Sequence, residues 1–253
     1  MTWQPVDCHA HSTHSDGALS VAEVVEKARS LGVRPSVTDH ISRDAPTNVD
    51  SPRAVARYLD DLEAHDVLRG GEFCWHDAIW RELPAETVRR FTHRVGSLHS
   101  IRLGTGSYFR VFHRDLPTGL TPAAYVEAHV SSLEMLVEEK PVDVFAHPTL
   151  VSPSLRHIDP HELWTVAHEE RLVRALRDAG IAFEISNRYR PHERLVRRAA
   201  DAGVRLSLGS DGHTREQVAD VAHPLALARA VGVRDEDLYD PSRHGSRTGA
   251  FDA

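Results

Sequence analysis

Residues 7–17 read DCHAHSTHSDG. Alternate side chains of a β-strand point to the same face, so His9 and His11 share one face if this stretch begins as a strand. Two imidazoles on one face can bind one divalent metal ion. A carboxylate, Asp16, follows in a loop that ends at Gly17. The stretch therefore predicts the first wall of a metal site at a strand end, which indicates hydrolytic chemistry.

The bulk composition favours one large domain. The chain has 253 residues, of which 41% are hydrophobic, enough for a full core. We expect residues 1–239 to form the domain and residues 240–253 to form a flexible C-terminal tail. The net charge of −7 and the pI near 6.2 argue against a general nucleic-acid or membrane surface. An anionic substrate stays possible, because bound divalent metals would reverse the local charge.

Several features lead us to expect a soluble, cytoplasmic protein. The two cysteines, Cys8 and Cys74, cannot form a disulfide framework, which indicates a reducing compartment. We expect both thiols to be buried in packing. The first five residues carry no basic or apolar segment typical of a signal peptide, and no apolar run reaches the roughly 18 residues of a membrane span. The sequence does not indicate an oligomeric state.

Short apolar runs alternate with helical patterns, as in a parallel sheet built from βα units. Strands are predicted at residues 5–9, 34–38, 67–74, 94–99, 142–147, 181–186 and 204–209. Helices are predicted at about residues 20–32, 121–139, 159–180, 191–202 and 224–231. Seven such strands favour a single-domain α/β fold, a closed or nearly closed barrel with its site at the carboxyl ends of the strands. The long connection 100–120 is a candidate active-site loop.

Metal-binding side chains recur at six of these seven strand ends. With Asp16 they make nine donors: His9, His11, Asp16, His40, Glu72, His99, His147, Asp211 and His213. A lone histidine at a strand end is more often a hydrogen-bonded structural residue, but this recurrence is hard to assign to chance. Nine nitrogen and oxygen donors are too many for one tetrahedral site and suit two or three ions of Zn, Mn or Fe.

Six motifs, in this order, resemble those of the polymerase-and-histidinol-phosphatase (PHP) family. They are His9-x-His11-x-x-x-Ser15-Asp16-Gly17, Thr38-Asp39-His40, Gly71-Glu72, Gly96-Ser97-Leu98-His99, Ala146-His147-Pro148 and Ser210-Asp211-Gly212-His213. The resemblance runs over about residues 6–215. It implies a distorted (β/α)7 barrel with a trinuclear metal centre that hydrolyses phosphate esters.

The resemblance also implies a ligand set and a mechanism. The first metal would be held by His9, His11, Glu72 and Asp211; the second by Glu72 as a bridge with His99 and His147; the third by Asp16, His40 and His213. A hydroxide bridging two metals would attack phosphorus, which makes Glu72 and Asp211 catalytic. Asp7, Asp39 and Glu184 could orient the ligands. One departure is Gly212, where many relatives have Ala; we expect it to change packing more than coordination.

The motif order is closest to the histidinol-phosphatase branch. In that branch, an Asn after the sixth strand is followed by an Arg-Lys-Pro-like element, whereas residues 187–191 here are shorter and lack the Lys. Arg190 is the best match for a catalytic, phosphate-binding arginine, and Asn187, Arg188 and Arg102 are further substrate candidates. A guanidinium suits this role because its planar fork gives two parallel donors. The expected substrate is a small phosphate monoester that the sequence does not name.

Three alternatives stay open. The same centre could serve a phosphodiesterase or nucleotide phosphatase. An amidohydrolase-type enzyme would hydrolyse amides or esters, often with a carboxylated barrel lysine, but the two lysines, Lys27 and Lys140, are both predicted in helices. A non-catalytic metal-bound scaffold is the third, against which the complete set of donors argues.

Overall fold

The structure is a computed structural model that describes residues 3–77, 79–139 and 142–245. Its strands are short: β1 Ser36–Val37, β2 His40–Ile41, β3 Leu68–Arg69, β4 Glu72–Cys74, β5 Val95–Ser97, β6 Ser100–Arg102, β7 Tyr108–Arg110, β8 Val144–Phe145, β9 Ala182–Ser186 and β10 Leu206–Gly209.

The α-helices of the described residues lie between and after these strands. They are α1 Val21–Ser30, α2 Pro52–Glu63, α3 Ile79–Glu82, α4 Ala85–Val88, α5 Pro122–Glu139, α6 Pro160–Leu163, α7 Val166–Ala179, α8 Glu193–Asp201, α9 Ala222–Ala230 and α10 Pro241–His244. Single 3₁₀ turns occur at Pro153–Leu155 and Asp235–Asp237.

Six of the strands form a parallel central sheet in the order β10-β9-β8-β5-β4-β2. Residues 5–11 lie between its two edges: Cys8 N donates to Leu208 O at 2.8 Å, and Thr38 N donates to Ala10 O at 2.7 Å. The bridges that this segment makes are isolated and do not form a continuous ladder. The chain is thus a single α/β domain with a mostly parallel sheet, and the barrel is not closed.

The predicted strand 67–74 is broken into β3 and β4, and the predicted strand 34–38 contains only β1, with β2 following just after it. The reason lies in the close approach of neighbouring backbones at Gly70 and Gly71. A Cβ atom at Gly70 would lie 2.3 Å from Thr38 Oγ1, and one at Gly71 would lie 2.5 Å from Ile41 Cδ1. The chain therefore bends here, and β1 pairs with β3 while β2 pairs with β4.

Helix capping accounts for most helix ends and for one split. The capping box of α1 is formed: Ser20 Oγ accepts from Glu23 N, and the Glu23 carboxylate accepts from Ser20 N. The helix predicted over 159–180 is two helices, because the Thr165 side chain caps a new start by accepting from His168 N. Helix α2, capped by Ser51, was not predicted from the sequence.

The predicted tail begins inside an ordered segment. Residues 241–244 form α10, and Arg34 Nη1 donates to Asp240 Oδ2 at 2.7 Å. Residues 246–253 lie outside the described residues, as does Lys140. Cys8 and Cys74 are free thiols, and both are buried as expected. In the part of the chain that the structure describes, no helix combines the length and the apolar character that crossing a membrane would require.

The hydrophobic core lies between the sheet and its outer helices. Leu133 and Leu136 of α5 are fully buried, as are Phe145 of β8 and Phe183 of β9. Helices α5 and α7 pack side by side over this face. The carboxyl ends of the parallel strands are left facing one common opening, where the polar side chains described next are collected.

Candidate metal centre

All nine predicted donors come together in one cluster, although His40 and Glu72 are the first residues of β2 and β4. His9, His11 and Asp16 come from the first segment, His40 from β2 and Glu72 from β4, and the other four follow β5, β8 and β10. Eight of the nine fall into three groups whose ligand atoms lie within 4.8 Å of one another: His11, Asp16, His40 and His213; His9, His11 and Asp211; His40, Glu72 and His99. The ninth, His147, lies beside Glu72.

Glu72 lies at the centre of the cluster. Its Oε1 atom is 3.2 Å from His99 Nε2 and 3.2 Å from His147 Nε2. Its Oε2 atom is 2.5 Å from His40 Nδ1 and 3.5 Å from His9 Nε2. The side chain is fully buried. One carboxylate therefore faces donors of all three groups, as a bridging ligand must.

The donors are arranged to bind divalent metal ions rather than to hydrogen-bond with one another. His40 Nδ1 and Glu72 Oε2 are buried and have no hydrogen-bond partner, although they lie close together. His9 Nε2 and His11 Nε2 lie 3.2 Å apart and point at each other. Buried polar atoms without partners are costly, and a cation between them would satisfy both. This mixture of imidazoles and carboxylates suits Zn, Mn or Fe.

The outer nitrogens of three ligand histidines are held by neighbouring side chains. His9 Nδ1 lies 2.7 Å from Glu184 Oε1, and the other oxygen of Glu184 accepts from His147 N at 2.6 Å. His99 Nδ1 lies 3.0 Å from Cys74 Sγ, and His11 Nδ1 lies 3.3 Å from Ser15 Oγ. Each contact turns the Nε2 atom of that ring toward the centre, which is the usual role of such outer partners.

Two buried carboxylates fix the loops that carry the donors. Asp39 accepts from Ser12 N at 2.8 Å and from Ser12 Oγ at 2.6 Å. Asp7 accepts from Ser210 N at 2.8 Å and from Ser210 Oγ at 2.6 Å. These bonds hold the first segment and the turn after β10. Asp7 and Asp39 therefore act on the ligands indirectly, by holding the loops that carry them.

The carboxylates and one imidazole of the cluster have the charges that metal binding needs. Burial raises the pKa of Glu72, but His40, His99 and His9 outweigh it and hold that pKa well below its usual value. Burial likewise raises the pKa of Asp16, and its neighbours, above all the hydrogen bond to His213, bring it to about 2. Burial lowers the pKa of His9, His40 and His99, but neighbouring acidic groups, Glu72 among them, outweigh it and raise the pKa of each above its usual value. Burial lowers the pKa of His11 well below its usual value. Ionised carboxylates and a neutral imidazole are the forms that bind a metal.

The backbone is unusual at two of the ligands. His147 has φ 32° and Asp211 has φ 51°, in the left-handed region that few non-glycine residues adopt. Such conformations persist where the surroundings impose them, often at functional sites. At Asp211 the imposing contacts include the bond from Asp211 N to His9 O at 2.8 Å.

Gly212 has no room for a side chain. A Cβ atom there would lie 2.6 Å from both Val218 Cα and Val218 N, which are backbone atoms that cannot rotate away. We expect Gly212→Ala to lower the free energy of unfolding by about 1–3 kcal/mol, as overpacking does. Urea unfolding would measure this loss. Gly104→Ala is the matched control, because a Cβ atom at Gly104 meets nothing within 4 Å. Equal stabilities of the two variants would contradict the prediction.

Seven of the nine ligands, all except His9 and His11, line one wall of a cavity of about 480 Å³, the central cavity. Its other walls come from the loop after β2, the end of β4 and the loop after it, the predicted active-site loop and the loop after β9: Asp44, Ala45, Pro46, Cys74, His76, Ser100, Arg110, Phe112, His113, Arg188 and Tyr189. Sequence reasoning missed Asp44, His76 and Arg110, whose only signal was their position near strand ends. The cavity is large enough for a small phosphorylated molecule.

The four substrate candidates lie in different places. Arg188 lines the central cavity, and its Nη1 donates to His213 Nδ1 at 2.7 Å. Arg190 does not line it; its guanidinium donates to Asn187 O at 3.1 Å and to Asn187 Oδ1 at 3.2 Å. Arg102 lies on the hairpin, with Nη1 4.0 Å from Met135 Sδ, and does not line the cavity. Of the predicted arginines, Arg188 is therefore the one beside the metal ligands.

The overall structure can now be compared with known proteins. It matches a histidinol phosphate phosphatase from Lactococcus lactis subsp. lactis Il1403, solved with Zn, L-histidinol and phosphate, over 92% of this chain and 95% of that chain, with a TM-score of 0.67 and 16% identity. It matches a candidate histidinol phosphatase from Listeria monocytogenes over 87% of this chain and 99% of that chain, with a TM-score of 0.67 and 14% identity. The fold is that of histidinol phosphatases.

The likeness lies in the structure and not in the sequence as a whole. The sequence matches no protein-family model, and no curated protein matches it. The resemblance to the histidinol-phosphatase branch, drawn from six short motifs, is confirmed at the level of the fold. The motifs carry the signal because they hold the donors, while the rest of the chain is free to vary as long as it packs.

Proposed function

We propose that this protein is a metal-dependent phosphoesterase that hydrolyses a small phosphate monoester. The observation that carries the proposal is the convergence of nine imidazole and carboxylate donors around Glu72 at the base of one cavity. The Lactococcus structure with the same fold contains Zn and phosphate. We also propose that residues 5–11 act as a seventh strand, so that the fold is a distorted (β/α)7 barrel.

We assign three metals to this centre on the ligand sets that the motifs imply. Two sets share Glu72: His9, His11 and Asp211 lie on its Oε2 side, and His99 and His147 lie on its Oε1 side. The third set is supported by Asp16 Oδ1, which lies 3.4 Å from His40 Nε2 and 3.3 Å from His213 Nε2. Bound divalent ions would lower the pKa of water and neutralise phosphoryl oxygens.

The chain's own residues supply position and charge. Glu184 holds His9 and the backbone of His147, and thereby fixes ligands of two sets. Arg188, rather than Arg190, is the arginine that we assign to the reacting phosphate, because it lines the cavity beside Asp211 and His213. In the reaction water provides the oxygen that replaces the ester oxygen on phosphorus, and the alcohol leaves with a proton.

The amide-hydrolase alternative finds no lysine to support it in the described residues. Lys27 lies on α1 and not at the metal centre. A diesterase and a metal-bound scaffold stay as alternatives that the next experiment separates.

Metal-free protein reloaded with Zn, Mn or Fe is the test. We expect at least two equivalents of metal per chain and release of p-nitrophenol from p-nitrophenyl phosphate, both lost after chelation. Bis(p-nitrophenyl) phosphate and p-nitrophenyl acetate are the control substrates for the diesterase and the ester hydrolase. Fewer than two equivalents, or metal uptake without hydrolysis of the monoester, would contradict the proposal.

A further inference from the structure

A second cavity, the side cavity, lies against the central cavity. It has a volume of about 440 Å³ and shares Arg188 and Tyr189 with the central cavity as a common wall. Its lining combines apolar side chains with three arginines and one histidine: Thr149, Leu150, Val151, Leu155, Arg156, Ile158, Pro160, Leu163, Trp164, Arg188, Tyr189, Arg190 and His192. Among these lining residues there is no carboxylate.

The three arginines of the side cavity have no acidic partner among residues 3–77, 79–139 and 142–245. Arg156 Nε donates to Val151 O at 3.3 Å, Arg190 donates to Asn187, and Arg188 donates to His213 and to a backbone carbonyl. The net charge of the chain is −7, and most of its other arginines are ion-paired. Three guanidinium groups without an acidic partner on one cavity indicate an anionic ligand.

Tyr189 links this cluster to the metal ligands. The guanidinium carbons of Arg156 and Arg188 each lie 5.6 Å from the centre of the Tyr189 ring. The same ring lies 5.6 Å from the His147 ring, edge to face. The side-cavity arginines are therefore within reach of a small molecule whose phosphate sits at the metal ligands.

The central cavity offers no free acid for a positively charged group. Three of its four carboxylates are the ligands Asp16, Glu72 and Asp211. The fourth, Asp44, lies 2.7 Å from His76 Nε2 and 3.1 Å from Arg110 Nη2. A substrate with an ammonium group would find no free acid on the described walls of the central cavity, whereas a second anionic group would find the arginines of the side cavity.

From this arrangement we infer that the substrate is a phosphate monoester that also carries a second anionic group, a carboxylate or another phosphate. Arg188 faces the reacting phosphate, and Arg156 and Arg190 hold the second group in the side cavity. The inference rests on the proposed phosphoesterase function and names the substrate class of that site.

Phosphonates of matched length test the inference without turnover. Isothermal titration of the metal-loaded protein compares propylphosphonate, 3-phosphonopropanoate, propane-1,3-diphosphonate and 3-aminopropylphosphonate. We expect one site per chain, with at least one of the two acidic ligands binding about tenfold tighter than propylphosphonate and the amine binding more weakly, since one hydrogen bond to a charged group is worth about this much. The better of the two acidic ligands identifies the second group as carboxylate or phosphate.

Two variants show where the second group binds. Arg156→Gln and Arg190→Gln should each bring the acidic-to-neutral affinity ratio down to about threefold or less. Arg174→Gln, an exposed arginine of α7, is the matched control and should keep the full ratio.

The outcomes separate this inference from the proposed function. The inference is overturned if the amine binds as tightly as the acids or if no ligand binds. It is also overturned if the acidic-to-neutral affinity ratio is unchanged in both arginine variants, which would mean that the second acidic group only chelates metal. The proposed function is tested by p-nitrophenyl phosphate alone. Its hydrolysis without any preference for acidic ligands would reject the inference and keep the phosphoesterase.

Discussion

Asp211→Asn is expected to lower kcat/KM for p-nitrophenyl phosphate by about 10³-fold, equivalent to about 4 kcal/mol of transition-state stabilisation. Asp211 Oδ1 lies 3.5 Å from His11 Nε2 and 3.5 Å from His213 Nδ1, so its charge joins two of the three donor groups. An amide keeps the shape of the side chain but removes its negative charge. The loss should come from weakened metal binding and charge neutralisation at the site.

The substitution is suited to this test because the fold should tolerate it. Asp211 has φ 51°, and asparagine adopts the left-handed region as readily as aspartate does. Its backbone N–H still donates to His9 O. We therefore expect the free energy of unfolding of the metal-free variant to stay within about 1 kcal/mol of the parent protein.

Metal content, steady-state kinetics and urea unfolding together decide the outcome. Asp201→Asn, an exposed aspartate at the end of α8, is the matched control and should behave as the parent protein. If Asp211→Asn binds all its metal and keeps more than about a tenth of the activity, Asp211 is not a ligand of the centre.

The donors of the centre could be predicted from the sequence because parallel strands end at one edge. His99, His147 and Asp211 follow β5, β8 and β10, as this rule expects. His40 and Glu72 are instead the first residues of β2 and β4, where the sequence predicts the ends of longer strands. The partners of the outer histidine nitrogens depend on side-chain rotamers and on loop conformations, which the strand pattern does not specify. The contact of Cys74 with His99 is an example: the sequence predicts a buried thiol, but not one that lies against the outer nitrogen of a ligand.

The arginines show a second limit of sequence reasoning. Motif spacing favours Arg190 as the phosphate-binding residue. In the structure its guanidinium donates to Asn187, and Arg188 is the arginine that lines the central cavity. Motif matching alone cannot tell which of two arginines in one loop lies beside the metal ligands. Helix α2 was missed although its sequence carries the signal: Ser51 and Pro52 mark its start, and its apolar residues are spaced to form one buried face, namely Ala54, Val55, Tyr58, Leu59 and Leu62.

A second large effect is expected at the opposite end of the sheet. Arg94 and Asp143 immediately precede β5 and β8, and they are 1% and 2% exposed. Arg94 Nε lies 3.3 Å from Asp143 Oδ2, which also accepts from Arg94 N at 2.7 Å. Arg94→Met should lower the free energy of unfolding by about 3–5 kcal/mol, because it removes the guanidinium and leaves the carboxylate buried.

Adding Asp143→Asn to Arg94→Met should restore at least half of that loss. The amide removes the buried charge but keeps an oxygen that accepts from Arg94 N, so the bond between the two strand starts survives. Urea unfolding of both variants near neutral pH measures the recovery.

The pH dependence separates a charge effect from a packing effect. In Arg94→Met the pKa of the buried carboxylate should rise in the folded state, so the loss should shrink as the pH falls and the group takes up a proton. The double variant has no carboxylate at this place and should show no such recovery in acid. A loss that is independent of pH, and that Asp143→Asn does not reduce, would mean that Arg94 acts by filling space, because a cavity costs the same at every pH.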